Sequence, residues 1–357
     1  MIAVALAGVV APRAAWSQSA STPAAVQHAE AWRALADHRY GDAAGLFETA
    51  VNETPQDAVL WLGAGISALM RGLNGQAQTS FERSLAIDPS LIDAAVLLGQ
   101  SLYRDGRVAP AIAAYEQALA HAPDHPDLDD ALSRWRLEVA TEAPFLALVG
   151  AHFDIRYLPS DEELAHRVLD VLEAARERLS ERLAISTLRS IDVVLYSPEQ
   201  FKTVTRLPAW AVGIYDGRIK VPLGETAASA ADLERVLEHE LVHAIVAAIA
   251  GPTVPAWLNE GLATALERDG TEWAEAAQAR TPSPLVAELP REFRNLMPAQ
   301  AREAYATSTR VVLRLLEQHG SAAVVELLRG IGRGLPFLEA FQGAVGTTFE
   351  AFVSVAR

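Results

Sequence analysis

The chain has 357 residues, too many for one ordinary domain and suited to two, each able to bury its own core. Its composition, 50% hydrophobic and 21% charged, is that of a globular protein rather than a disordered one. A net charge of -15 with no basic run removes nucleic acid from the expected partners, and the absence of cysteine removes disulfides, thiolate metal sites, a cysteine nucleophile and a lipid-modified cysteine.

Residues 1–11 are almost wholly apolar and Ala15-Trp16-Ser17 offers small residues at cleavage-like spacing, so residues 1–17 resemble the back half of a signal peptide, and the protein is expected to be exported, secreted or periplasmic. This run is too short to cross a bilayer, which takes about 20 apolar residues. The later apolar stretch 244–250 stops at Gly251-Pro252, so no transmembrane span is expected.

A 34-residue rhythm follows. It relates Phe47, Phe81 and Tyr115, then Pro55, Pro89 and Pro123, then Glu48, Glu82 and Glu116, then Ala43, Ala77 and Ala111. Ala31, Gly65 and Gly99 hold the small position at which paired helices approach closely, and each proline ends a helix that it cannot continue. These registers resemble three tetratricopeptide (TPR) motifs over residues 24–124, with a capping helix over 126–140 whose apolar side is Leu128, Leu132, Trp135 and Leu137. The resemblance implies an α-solenoid whose concave face binds a peptide or protein partner; a mere spacer is the other reading.

Beyond about residue 150 the pattern changes to that of an α+β domain running to 357. Residues 153–157 alternate as a strand, 161–183 form an amphipathic helix, and 191–196 read as a buried strand. Residues 210–221 alternate around Asp216-Gly217, a tight-turn signal. Helices are expected over 301–318 and 321–330.

The chemistry is carried by Leu237-Glu238-His239-Glu240-Leu241-Val242-His243. A spacing of four puts His239 and His243 on one helical face, where both imidazoles can reach a single zinc ion. Glu240 beside them can take a proton from a metal-bound water. Glu238 points off that face and is expected to be solvated or to support a ligand from behind. Zinc needs a third protein ligand, and no histidine follows until His319.

The segment Trp257-Leu258-Asn259-Glu260-Gly261 closely resembles the Asn-Glu-Gly segment of gluzincins, in which the glutamate is the third ligand; carried over, this is Glu260. From Phe153 onward the chain is similar to the peptidase MA-like domain, a thermolysin-like zincin fold found fused to TPR repeats. The likeness rests on the hairpin 213–221, the two zinc segments and Ala304-Tyr305-Ala306-Thr307-Ser308. It implies one zinc ion per chain, Glu240 as general base, and Tyr305 as oxyanion donor with Tyr215 as its rival. It further implies a substrate peptide lying along the hairpin edge at Gly213 and Tyr215. Relatives carry an acidic residue four positions after the ligand glutamate, where this chain has Thr264, so Glu267 is the candidate to support an imidazole. The expected function is zinc-dependent peptide hydrolysis with the TPR array recruiting substrate or partner. The alternative is a TPR-based binding scaffold whose metal domain is structural or weakly active, for which Thr264 is the best support.

Overall fold

The computed structural model describes residues 23–185, 189–207, 211–224, 229–268, 289, 293, 296 and 298–354. The expected signal peptide, and Trp210 at the start of the expected hairpin, lie outside them. The chain divides into two compact units, one of residues 1–143 with 332–336, the other of 144–331 with 337–357.

Among the described residues of the first unit, seven helices run in order: α1 (Pro23–Ala36), α2 (Tyr40–Glu53), α3 (Ala58–Met70), α4 (Asn74–Ile87), α5 (Ile92–Arg104), α6 (Val108–His121) and α7 (Pro126–Glu142). Consecutive helices pack as hairpins, the arrangement of a helical repeat array. Pro55, Pro89 and Pro123 each fall just past the end of the second helix of a pair, where a missing N–H costs nothing. The small positions have a direct cause. A Cβ on Gly65 would strike the Phe81 ring, and one on Gly99 would strike Tyr115. Gln78 and Asn74 both donate to Asp105, at 2.8 and 2.9 Å, which ties the second repeat to the third. On α7, Leu128, Leu132 and Trp135 are buried as expected, but Leu137 is 39% exposed. Steps of four and three define the buried stripe, and Leu137 falls off it.

The second unit is built on a five-stranded sheet of order β1-β2-β3-β5-β4. β1 (Leu146–Val149) starts slightly before the expected boundary and pairs antiparallel with β2 (Phe153–Tyr157). The long helix α8 (Glu162–Leu183) carries the chain to β3 (Ile191–Tyr196), parallel to β2. Its buried residues Ala165, Val168, Leu172, Ala175, Leu179 and Leu183 recur at helical spacing. After α9 (Pro198–Thr205), β4 (Ile214–Tyr215) and β5 (Ile219–Pro222) form the hairpin, with β5 parallel to β3 and β4 at the edge. Gly217 takes φ 114° in the turn, and the Lys220 ammonium, 2.8 Å from Asp216, braces it. Because β3 is buried on both faces, Val193 and Leu195 join the main core, while Val194 and Tyr196 join a smaller cluster with Phe201 of α9.

Helix α10 (Ala230–Ala250) is capped by the Ser229 hydroxyl and stops at Gly251, φ 69°. Helix α11 (Ala256–Leu266) follows it and is buried throughout from Trp257 to Leu266. Helix α12 (Pro298–Gly332) is broken at Gly320, φ 75°, into the two expected segments. The short helices α13 (Phe337–Val345) and α14 (Phe349–Ser354) pack Phe337 and Phe349 on Trp257, with ring centroids 5.7 and 5.4 Å away. No helix among the described residues is long and apolar enough to cross a membrane.

Candidate functional site

Helices α10 and α11 pack against one another, and their facing sides bring His239, His243 and Glu260 together. Glu260 Oε2 is 3.6 Å from His239 Nε2 and 3.5 Å from His243 Nε2, and the two imidazole rings stand nearly perpendicular, 4.8 Å apart. One ligand atom from each residue lies within 4.8 Å of the others, so the three could hold a metal ion. The flanking residues Leu237, Leu241, Val242, Ile245 and Val246 are all buried, which fixes the rotation of α10 and points the histidines at α11.

Glu240 is buried, and its Oε2 has no hydrogen-bond partner among the described residues. Gly213, just before the edge strand β4, lies directly against it. A Cβ at that position would come within 2.9 Å of Glu240 Oε1 and 3.1 Å of its Cγ. Tyr305 approaches from α12, its ring 6.5 Å from that of His239 and 4.9 Å from Phe293. Its approach depends on Gly261, where a Cβ would collide with the Ser308 backbone, so α11 and α12 touch almost chain to chain. Tyr215, the rival phenol, is half-buried at the edge of the main core.

Behind His239 stands Glu267. Its Oε2 is 2.7 Å from His239 Nδ1, and Arg235 Nη1 is 3.8 Å from its other oxygen. With Nδ1–H given to Glu267, Nε2 is the ring nitrogen that faces Glu260. Thr264 is buried, and the carboxylate that meets the imidazole is Glu267. Glu238 departs from the expected solvated position: it is 2% exposed and ion-paired with Arg178 of α8 at 2.6 Å, because α8 covers that side of α10. Arg178 and Arg235 escaped the sequence reading, since their partners lie far away along the chain.

The electrostatics divide the carboxylates. Burial lifts the Glu240 carboxyl above its usual range, against the pull of His243 and His239. Burial acts on Glu260 as well, but the two imidazoles, His243 foremost, hold it well below. Burial disfavours charge on His239, yet its bonds to Glu260 and Glu267 raise its pKa to about 10. Burial, with Glu260 and Glu240 nearby, pushes the Tyr305 phenol well up, so it stays a proton donor at neutral pH.

The tetratricopeptide repeat family matches residues 28–92, 65–126 and 96–134. The N-terminal unit therefore carries TPR repeats, a protein-binding scaffold, and the matches end before the His-Glu cluster. A search of curated proteins finds none that matches the chain.

Proposed function

We propose that the chain is a zinc-dependent peptidase whose TPR array recruits the protein it acts on. The observation that carries this reading is the convergence of His239, His243 and Glu260 beside a buried carboxyl, Glu240. The donor set fits zinc. Ligand bonds of about 2.0–2.1 Å in a tetrahedron put the ligand atoms roughly 3.3–3.4 Å apart, close to the separations from Glu260 to the two imidazoles. Two imidazoles and one carboxylate are the donors of a catalytic site that keeps one position open. The chemistry supplied by a zinc ion held there is polarisation of a carbonyl and lowering of the pKa of water to about 7.

The remaining work belongs to the side chains. Glu240 takes the proton of the attacking water and passes it to the amine nitrogen as the C–N bond breaks; a carboxyl raised by burial suits both transfers. Tyr305 donates its O–H to the oxygen that gains charge. The strand β4, last in the sheet order, is where an extended peptide can lie, with Gly213 leaving room beside Glu240. Glu267 holds His239 in the tautomer that presents Nε2. The apolar run 1–11 and Ala15-Trp16-Ser17 support export.

The second reading is a TPR-based binding scaffold with a structural or weakly active metal domain. It is favoured by the family match, which speaks for protein binding alone and covers the repeats alone. Zinc content measured together with casein turnover separates the two. Stoichiometric zinc with metal-dependent cleavage supports the peptidase; zinc without cleavage supports the scaffold.

A further inference from the structure

We infer that Arg178, on α8 and outside the cluster, is a positioning residue that holds Glu267 on His239 through Glu238. The inference rests on the zinc-site reading above. Helix α11 ends at Leu266, and Glu267 leaves it with extended backbone, φ -66° and ψ 162°. A side chain just past a helix end has no turn above it to fix its direction, and frayed ends are where backbone order is lost first. Here the peptide groups on both sides of Glu267 are pinned. The Arg268 amide donates to Glu238 Oε2 at 2.6 Å, and the Leu266 carbonyl accepts a long bond, 3.5 Å, from Arg178 Nη1. The other guanidinium nitrogen of Arg178 is 2.6 Å from Glu238 Oε1. The Arg268 guanidinium adds a bond of 2.7 Å to Glu234, one turn earlier on α10.

Glu238 is next to His239 in the chain, so the same helix that presents the imidazole also presents the clamp that fixes its supporting carboxylate. A carboxylate only 2% exposed is costly without a close cation; Arg178 is the nearest, at 2.6 Å, with Arg268 Nε further off at 3.8 Å, so removing Arg178 strips Glu238 of its main counter-charge. Without Arg178, Glu238 has reason to turn toward solvent, and the Arg268 amide loses its acceptor. The exit of α11 then loosens, and the 2.7 Å contact between Glu267 and His239 loosens with it. The 60 residues separating Arg178 from Glu238 in sequence make this a tertiary device, invisible to any local motif.

The test uses the full chain without metal and reads the His239 Nδ1–H proton by NMR, assigned by its absence in His239→Asn. In the wild type it is expected as a slowly exchanging, strongly downfield signal. Arg178→Met and Glu238→Gln should lose it or make it exchange fast, Arg178→Lys should retain it in part, and zinc affinity should fall about 10-fold in the first two. An ion pair that only stabilises the fold would lower the melting temperature and leave the signal alone. An unchanged signal in folded Arg178→Met and Glu238→Gln, or no such signal in the wild type, overturns the inference. If both variants fail to fold, exchange at the wild-type Arg268 amide decides: protection supports the clamp and rapid exchange overturns it. If the wild type binds no zinc while the signal behaves as expected, the peptidase reading fails and the positioning role stands.

Discussion

Glu267 Oε2 lies 2.7 Å from His239 Nδ1, although Glu267 sits beyond the end of the helix that carries Glu260. The helical position four residues after Glu260, where the resemblance to gluzincins leads one to expect that carboxylate, holds Thr264, buried and without charge. The support for the imidazole is therefore delivered from the chain that leaves the helix. Glu267→Ala should weaken zinc binding by about 10- to 100-fold, the usual cost of losing such a partner. Competition against a chelator of known affinity measures it. Unchanged affinity would mean that His239 is oriented by something else.

Gly213 gives a steric prediction. Its α-carbon faces the Glu240 carboxyl so closely that a methyl group must displace one of them. Gly213→Ala should keep zinc and lower kcat on a short peptide by about 10- to 100-fold, since small displacements of a positioned group cost that much. Stopped-flow cleavage alongside metal analysis reads both quantities. Full activity in the variant would show that Glu240 need not stay where it is.

Tyr305→Phe removes only the hydroxyl. Because burial and the neighbouring carboxylates keep this phenol protonated, its proposed contribution is a donated hydrogen bond. Loss of an oxyanion donor costs about 10²- to 10³-fold in kcat. If KM rises and kcat does not fall, Tyr305 binds substrate rather than the charge that develops on it.

The raised pKa of His239, about 10 in the metal-free protein, has a pH signature. A raised folded-state value stabilises the fold fully below the unfolded pKa of about 6.5, and this contribution is lost as pH rises through about 10. Metal-free protein should accordingly melt at progressively lower temperature across that window. Glu260, held well below the usual carboxylate range, acts in the opposite sense: its contribution is lost on acidification below about 4.5. Zinc must displace the His239 proton, so binding at pH 7–8 should release close to one proton and tighten as pH rises. Calorimetry in buffers of different ionisation enthalpy counts it; no proton release would contradict the charge state given to His239.

Much of this architecture could be read from the sequence, where local physics sets it. The 34-residue interval survives as helix pairs because Gly65 and Gly99 must accept the rings of Phe81 and Tyr115 from the partner helix. The spacing of His239 and His243 places them on one face by helix geometry alone. The reading weakened where distant chain decides. Leu137 looked like part of an apolar side, yet the direction from which the rest of the unit meets α7 leaves it outside. For Glu238 the sequence leaves solvation and support of a ligand from behind both open, because nothing nearby in sequence announces that α8 covers it with Arg178. Glu267 was in view as a substitute for an acid at 264, but its position past the helix end depends on where α11 stops.

In the proposed reaction Glu240 moves protons beside a metal that it does not bind. Glu240→Gln keeps the size of the side chain and removes its basicity, leaving His239, His243 and Glu260 untouched. Wild type and variant should be compared on a proteome-derived peptide library, with zinc content measured on the same samples. The variant should hold wild-type zinc and lose about 10²- to 10⁴-fold in turnover. Near-normal turnover with full zinc would contradict it.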